Sequence, residues 1–175
     1  MGEGFRKIES SSKKEIYGLL TRQIQSLLEN ERDLLANMAN VSSLLYHNLP
    51  DINWAGFYLL KDNQLVLGPF QGLPACVRLP MGRGVCGKCA ESEKTVIVPN
   101  VHEFEGHIAC DSASNSEIVI PVIWGNGLFG VLDLDSPEMA RFDETDKAGL
   151  EGIISVFVSH TDLDGMKYSD SGNTP

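Results

Sequence analysis

The chain has 175 residues, 42% of them hydrophobic and 22% charged. That is enough for one domain able to bury roughly 70% of its unfolded surface without disulfides or a structural metal. Fourteen Lys and Arg against twenty-four Asp and Glu leave a formal charge of −10. With no basic cluster, such a surface repels phosphate backbones and argues against a nucleic-acid partner. No apolar run approaches the roughly 20 residues of a membrane span, and no hydrophobic signal-peptide core follows Met1. The expectation is a cytoplasmic chain whose four cysteines (76, 86, 89 and 110) are kept reduced.

Residues 1–12 and 164–175, rich in Gly, Ser, Asp and charge, are expected to be flexible ends around a single domain over 13–163. From Lys13 to His47, Ile16, Leu20, Ile24 and Leu28 and then Leu34, Met38, Val41 and Leu45 recur at three- and four-residue spacings. That periodicity predicts two helices with a break near Asn30, and Pro50 stops the second. The period then changes. Residues 54–60 and 64–67 predict a hairpin turning at Lys61-Asp62-Asn63, and 76–79 a third strand. Residues 84–92 suit a short helix and 95–98 a short strand. Residues 117–124 and 128–135 form a second hairpin about Gly125-Asn126-Gly127, and Asp143 caps a closing helix. This order predicts an α+β domain, an antiparallel sheet with helices packed on one face. The long segment from Pro99 to Ser116 carries two His and a Cys, and long loops in compact domains are disproportionately functional.

Three constellations carry candidate chemistry. Gly82-Arg83-Gly84-Val85-Cys86-Gly87 fits the dinucleotide fingerprint G-x-G-x-x-G, but a short strand ending at Pro80 and no downstream βαβ repeat argue against it. A Gly-rich turn entering a helix remains, whose free N–H groups could hold a carboxylate. Cys86-Gly-Lys-Cys89 is a lone C-x-x-C with His102, His107 and Cys110 downstream, a weak zinc signature set against the reading of either Cys as a core residue. The third is acidic. Asp133 and Asp135 share a strand face, and a three-residue hairpin loop places Glu117 opposite Asp135 and Val119 opposite Asp133. A fold gains no stability from facing like charges, but crowding raises at least one carboxyl pKa and yields a proton donor near neutral pH. Beside a Cys, such an acid suits reduction of an oxidised sulfur: the thiolate attacks sulfur, the acid protonates the departing oxygen, and a second thiol resolves the sulfenic acid.

The motifs Asn53-Trp54-Ala55-Gly56-Phe57-Tyr58, Gly84-Val85-Cys86-Gly87, Gly106-His107-Ile108-Ala109-Cys110-Asp111 and Gly130-Val131-Leu132-Asp133-Leu134-Asp135 together resemble the free methionine-(R)-sulfoxide reductases, single GAF-domain enzymes. The resemblance runs from about Leu45 to the last helix and implies a GAF-like fold and reduction of free L-methionine (R)-sulfoxide with thioredoxin as electron source. It further implies Cys110 as nucleophile, Cys76 or Cys86 as resolving thiol, and Glu117, Asp133 and Asp135 as acids that bind the substrate ammonium and protonate its oxygen. Trp54 and Tyr58 match pocket aromatics. No cofactor and no metal are expected, and a homodimer is. Cys89 has no counterpart in the pattern. The alternative reading is a GAF small-molecule sensor without catalysis.

Overall fold

The computed structural model describes residues 7–10, 12–106 and 112–164. Helices α1 (Lys13–Leu28) and α2 (Leu34–Asn48) precede strands β1 (Trp54–Lys61), β2 (Gln64–Gly72) and β3 (Arg78–Pro80). Helix α3 (Gly84–Ser92), β4 (Val96–Val98), a 3₁₀ turn (Val101–Glu103), the hairpin β5 (Ser116–Trp124) and β6 (Gly127–Ser136), and α4 (Glu144–His160) follow. The six strands form one sheet in the order β3-β2-β1-β6-β5-β4, with every neighbouring pair antiparallel. Sequence-distant hairpins thus meet at the centre, where β1 pairs with β6. Among the described residues no helix is long and apolar enough to cross a membrane.

The two faces of the sheet bury different things, as strand alternation requires. Ala55, Phe57, Leu59, Ile118, Ile120 and Leu132 point to one face, where α1, α2 and α4 cover them with Leu20, Ile24, Leu45, Ile153 and Phe157. The opposite face presents Trp54, Tyr58, Val119 and Val131, and the short α3 packs Val85, Cys86, Cys89 and Ala90 against them. The sheet therefore carries three long helices on one side and one short helix on the other. The functional groups lie under that short helix.

Local signals explain most boundaries. Asp62 and Asn63, both at positive φ, form the two-residue turn of the first hairpin. The Asp33 carboxyl accepts from Ala36 N at the start of α2, and Asp143 and Asp146 form a capping box at the start of α4. Asp146 does more than cap: it is fully buried and accepts from Tyr17 Oη and Arg141 Nη1, both at 2.9 Å, and from Lys13 Nζ. It thereby ties α1 to α4. Within the stretch expected to be a flexible end, Ile8 is buried in the core and its N–H donates to Asn48 Oδ1 at 2.8 Å, because α2 offers that amide at its last turn.

Candidate active site

The central strands build the site directly. Trp54 pairs with Asp135 and Gly56 with Asp133 across β1 and β6, while Glu117 pairs with Asp135 and Val119 with Asp133 across β5 and β6. Paired residues share a face, so Trp54, Tyr58, Glu117, Asp133 and Asp135 all point beneath α3. The expected juxtaposition of the three acids is present, although the hairpin reaches it by a different route. Trp124 pairs with Gly127, so the turn holds only Gly125 and Asn126, and a register shift between Val122 and Ile123 restores the count. One loop residue fewer and one bulge residue more leave the parity unchanged.

Glu117 and Asp133 are each 6% exposed, whereas Asp135 is half-buried nearer the opening. Cys86 Sγ lies 3.2 Å from Asp133 Oδ2 and 3.9 Å from Glu117 Oε1. The Glu117 and Asp133 carboxyls are also hydrogen-bonded to each other. Burial pushes the Asp133 carboxyl up to about 7, opposed by the hydrogen bonds from Cys86 and Glu117. Burial, then the neighbouring Asp133 and Asp135, holds the Glu117 carboxyl well above the usual range. Burial and the same two inner acids push the Cys86 thiol far above its ordinary value, so Cys86 is a poor thiolate. The Asp133 carboxyl is thus raised toward neutral pH by burial, not by the facing acids that the sequence suggested as the cause.

The aromatic wall is held by backbone carbonyls. Trp54 Nε1 donates to Leu73 O at 3.1 Å, and its ring stacks on Phe70 at 5.3 Å and Tyr58 at 5.9 Å. Gly56 is required here: a Cβ at that position would lie 2.7 Å from the Trp54 ring and 2.3 Å from Phe70 Cβ. Tyr58 Oη donates to Cys76 O at 3.0 Å, fixing the chain beside that cysteine. Cys76 is disulfide-bonded, and Cys86 and Cys89 carry free thiols. Cys110, with the adjacent His107, lies outside the described residues.

Some pocket-lining residues were not expected from sequence. Arg83, Gly84 and Val85 bring the N-terminus of α3 to the pocket, and the N-cap residue Arg83 makes no side-chain capping hydrogen bond there. Its first N–H groups have no partner within the helix. Leu73, Pro74 and Ala75 close one side, and Ser114 meets Asn53 Nδ2 through its Oγ at 3.1 Å. Only Arg83 and its neighbours carried a signal, as part of the Gly-rich turn. That turn has a packing explanation: a Cβ at Gly87 would lie 2.4 Å from Pro80 O, and Gly82 has a φ of +73°. For the zinc alternative, Cys89 Sγ turns to Val119 O at 3.5 Å and His102 Nε2 to Asn115 Oδ1 at 2.8 Å. Among the described residues the one grouping of potential metal donors is Cys86, Glu117 and Asp133.

Comparison with known proteins matches residues 36–157 to the GAF domain family. The chain is 52% identical over 144 residues to the free methionine-R-sulfoxide reductase of Escherichia coli strain K12, covering 82% of this chain and 87% of that protein. It superposes on the free methionine-R-sulfoxide reductase of Neisseria meningitidis in complex with its substrate with a TM-score of 0.85 at 41% identity, covering 87% and 92% of the two chains. The fRMsr of Staphylococcus aureus in complex with substrate gives 0.80 at 46% identity, covering 89% and 99%. A GAF sheet with its acids and aromatics under one short helix, at these identities over most of its length, places the chain in the free methionine-R-sulfoxide reductase family of GAF-domain oxidoreductases.

Proposed function

We propose that this protein reduces free L-methionine (R)-sulfoxide to methionine by a thiol cycle in the cytoplasm. The observation that carries the reading is the convergence of Glu117, Asp133 and Asp135 with Trp54 on one sheet face, next to a chain segment whose Cys76 is already in a disulfide. The relatives named for this activity supply the substrate.

The site divides the labour by environment. The half-buried Asp135 takes the substrate ammonium, and the N-terminus of α3 with Arg83 takes its carboxylate. A peptide-bound methionine has neither charge, which accounts for selectivity toward the free amino acid. Trp54 packs against the sulfur methyl. Cys110 attacks sulfur as a thiolate, the S–O bond breaks, and the oxygen transfers to Cys110 as a sulfenic acid. Protons come from the Asp133–Glu117 pair, whose Asp133 carboxyl is poised near 7.

Cys76, rather than Cys86, resolves that sulfenic acid, releasing water and forming a disulfide. Two observations support this assignment. Cys86 is free and its thiol is held protonated by burial and two carboxyls. Cys76 is oxidised while Cys86 and Cys89 carry free thiols. An external dithiol, thioredoxin by the family resemblance, restores both thiols. The cycle uses no metal or organic cofactor, and the protein acts as a homodimer.

The test is to incubate the reduced protein with dithiothreitol and each diastereomer of free methionine sulfoxide separately, and to quantify methionine. Conversion of the R form alone, lost in Cys110→Ser and retained after chelator treatment, is expected. Conversion that survives Cys110→Ser moves the nucleophile to Cys86. No conversion by folded, reduced wild type leaves a GAF binding module.

A further inference from the structure

Cys86 has no step in the proposed cycle, yet it sits at 4% exposure with its sulfur against two buried carboxyls. A thiol packed only for volume needs no acid beside it, whereas this one donates to Asp133 Oδ2 and lies within reach of Glu117. The three side chains offer one donor atom each, all within 4.8 Å of one another. Their spacing is that of ligands around a small cation. A tetrahedral Zn²⁺ with Zn–S near 2.3 Å and Zn–O near 2.0 Å separates sulfur from oxygen by about 3.5 Å. The observed separations of 3.2 and 3.9 Å from Cys86 Sγ bracket that value.

A second observation points to a ligand. Asp133 Oδ1 is buried with no hydrogen-bond partner among the described residues, although Asp133 lines the pocket and its other oxygen accepts from Cys86. A carboxylate oxygen stripped of water and left unpaired is costly, and a bound cation removes that cost.

We propose that, in the reduced protein, Cys86, Glu117 and Asp133 form a three-ligand site for a thiophilic divalent cation of the Zn²⁺ class, and that its occupation blocks the substrate pocket. The fourth coordination position faces the pocket, where water or a substrate group completes the shell, as in open three-ligand zinc sites. Binding is an exchange of protons for a cation: the Cys86 thiol and the carboxyl pair release their protons to solvent, one sulfur and two oxygens bind the metal, and no electron is transferred. The thiolate selects Zn²⁺ and Co²⁺ over Mg²⁺ and Ca²⁺, which prefer shells made only of oxygen. Because the same carboxyls serve as proton donors in the proposed function, the cation is an inhibitor there and not a cofactor. A cell that accumulates free zinc would thereby switch off this repair activity reversibly.

The experiment titrates chelator-stripped, reduced protein with Co²⁺ alone and follows the near-ultraviolet thiolate-to-cobalt charge-transfer absorption. One Co²⁺ per chain is expected, with the absorption displaced by Zn²⁺ and unaffected by Mg²⁺. The absorption is lost in Cys86→Ser and persists in Cys89→Ser. In Glu117→Gln the affinity falls by at least the roughly tenfold that losing even an outer-shell contact costs. Circular dichroism verifies that each variant is folded, and the Glu117→Gln titration stands in if Cys86→Ser is not. Free methionine sulfoxide raises the apparent Kd for Co²⁺. Absence of the absorption in folded, reduced wild type, or its survival in Cys86→Ser, overturns the site, and failure of methionine sulfoxide to compete overturns the inhibition. The competition arm rests on the proposed function while the cobalt spectrum does not. Cobalt binding without turnover would sink the function and leave the site, and turnover without cobalt binding would do the reverse.

Discussion

Asp133→Asn should make the protein more stable while disabling it, and the gain should grow with pH. Asp133 is buried and its carboxyl is raised from an ordinary 3.8 to about 7. An acid whose folded pKa lies above its unfolded one stabilises nothing by ionising: the unfolded chain gives up the proton first. Stability is therefore greatest at low pH, falls from about pH 4, and levels off above about pH 7. The rise from 3.8 to about 7, at 1.36 kcal/mol per pH unit, amounts to about 4 kcal/mol at the plateau, of which about 3 kcal/mol develops between pH 5 and pH 8. Asn keeps the shape, has no proton to lose, and removes the negative charge that helps to raise Glu117. Against this stands about 1 kcal/mol for a poorer hydrogen bond to Cys86. Urea denaturation of the disulfide form at pH 5 and pH 8 reads both values. The variant should gain about 3 kcal/mol on wild type between the two conditions, and its turnover should fall by roughly 10²-fold or more, as for loss of a general acid. A stability difference equal at the two pH values would refute the argument that burial holds this carboxyl protonated.

Other expectations follow from neighbouring contacts. Gly149→Ala, normally a gain of about 1 kcal/mol inside a helix, should instead lower Tm, because the new Cβ would meet the Tyr17 ring at 2.2 Å. Gly152→Ala, with nothing within 4 Å, is the control and should raise it. Asp146→Asn should cost about 3–5 kcal/mol in denaturant unfolding, since it leaves Arg141 and Lys13 facing a buried neutral amide. Cys89→Ala should leave turnover unchanged and Cys89 should resist alkylation at pH 8, because burial above all pushes its thiol far up and its Sγ rests on Val119 O.

How much of this was legible depends on the range of each signal. Helix periodicity is local, so α1, α2 and the capping of α4 could be read from spacing alone. The pairing of Glu117 with Asp135 was also legible, because only the parity of the hairpin matters and an exchanged loop and bulge residue preserve it. The placement of α3 was not. Its exposed Lys88, Glu91 and Ser92 lie on one helix face, which shows that the rest is buried but not which side of the sheet it covers. Tyr17 was missed for a related reason: its partner Asp146 is 129 positions away, and a helix pattern shows a tyrosine only as one more half-apolar residue. Nor does residue type tell a disulfide-bonded Cys76 from a buried, protonated Cys86. That difference comes from the sheet, which puts two carboxyls against one sulfur and leaves the other beside a surface turn.

The acids under α3 are where fold and chemistry conflict, and the conflict is informative. Elsewhere this protein treats buried charge conventionally: Asp146 is enclosed, but Lys13, Arg141 and Tyr17 all face it. Glu117 and Asp133 are buried too, but the side chains that chiefly shift them, burial apart, are a thiol and other acids. The first arrangement holds two helices together, whereas the second lowers stability at neutral pH by an amount comparable to a large fraction of a small domain's total. A chain that can supply Lys and Arg to one buried carboxylate can supply them to another. Leaving Asp133 without a cation among the described residues keeps its proton available near pH 7 and its charge available to an incoming ammonium or metal. The cost to the fold and the capacity to do chemistry have the same origin, a buried Asp133 with no counter-charge beside it among the described residues.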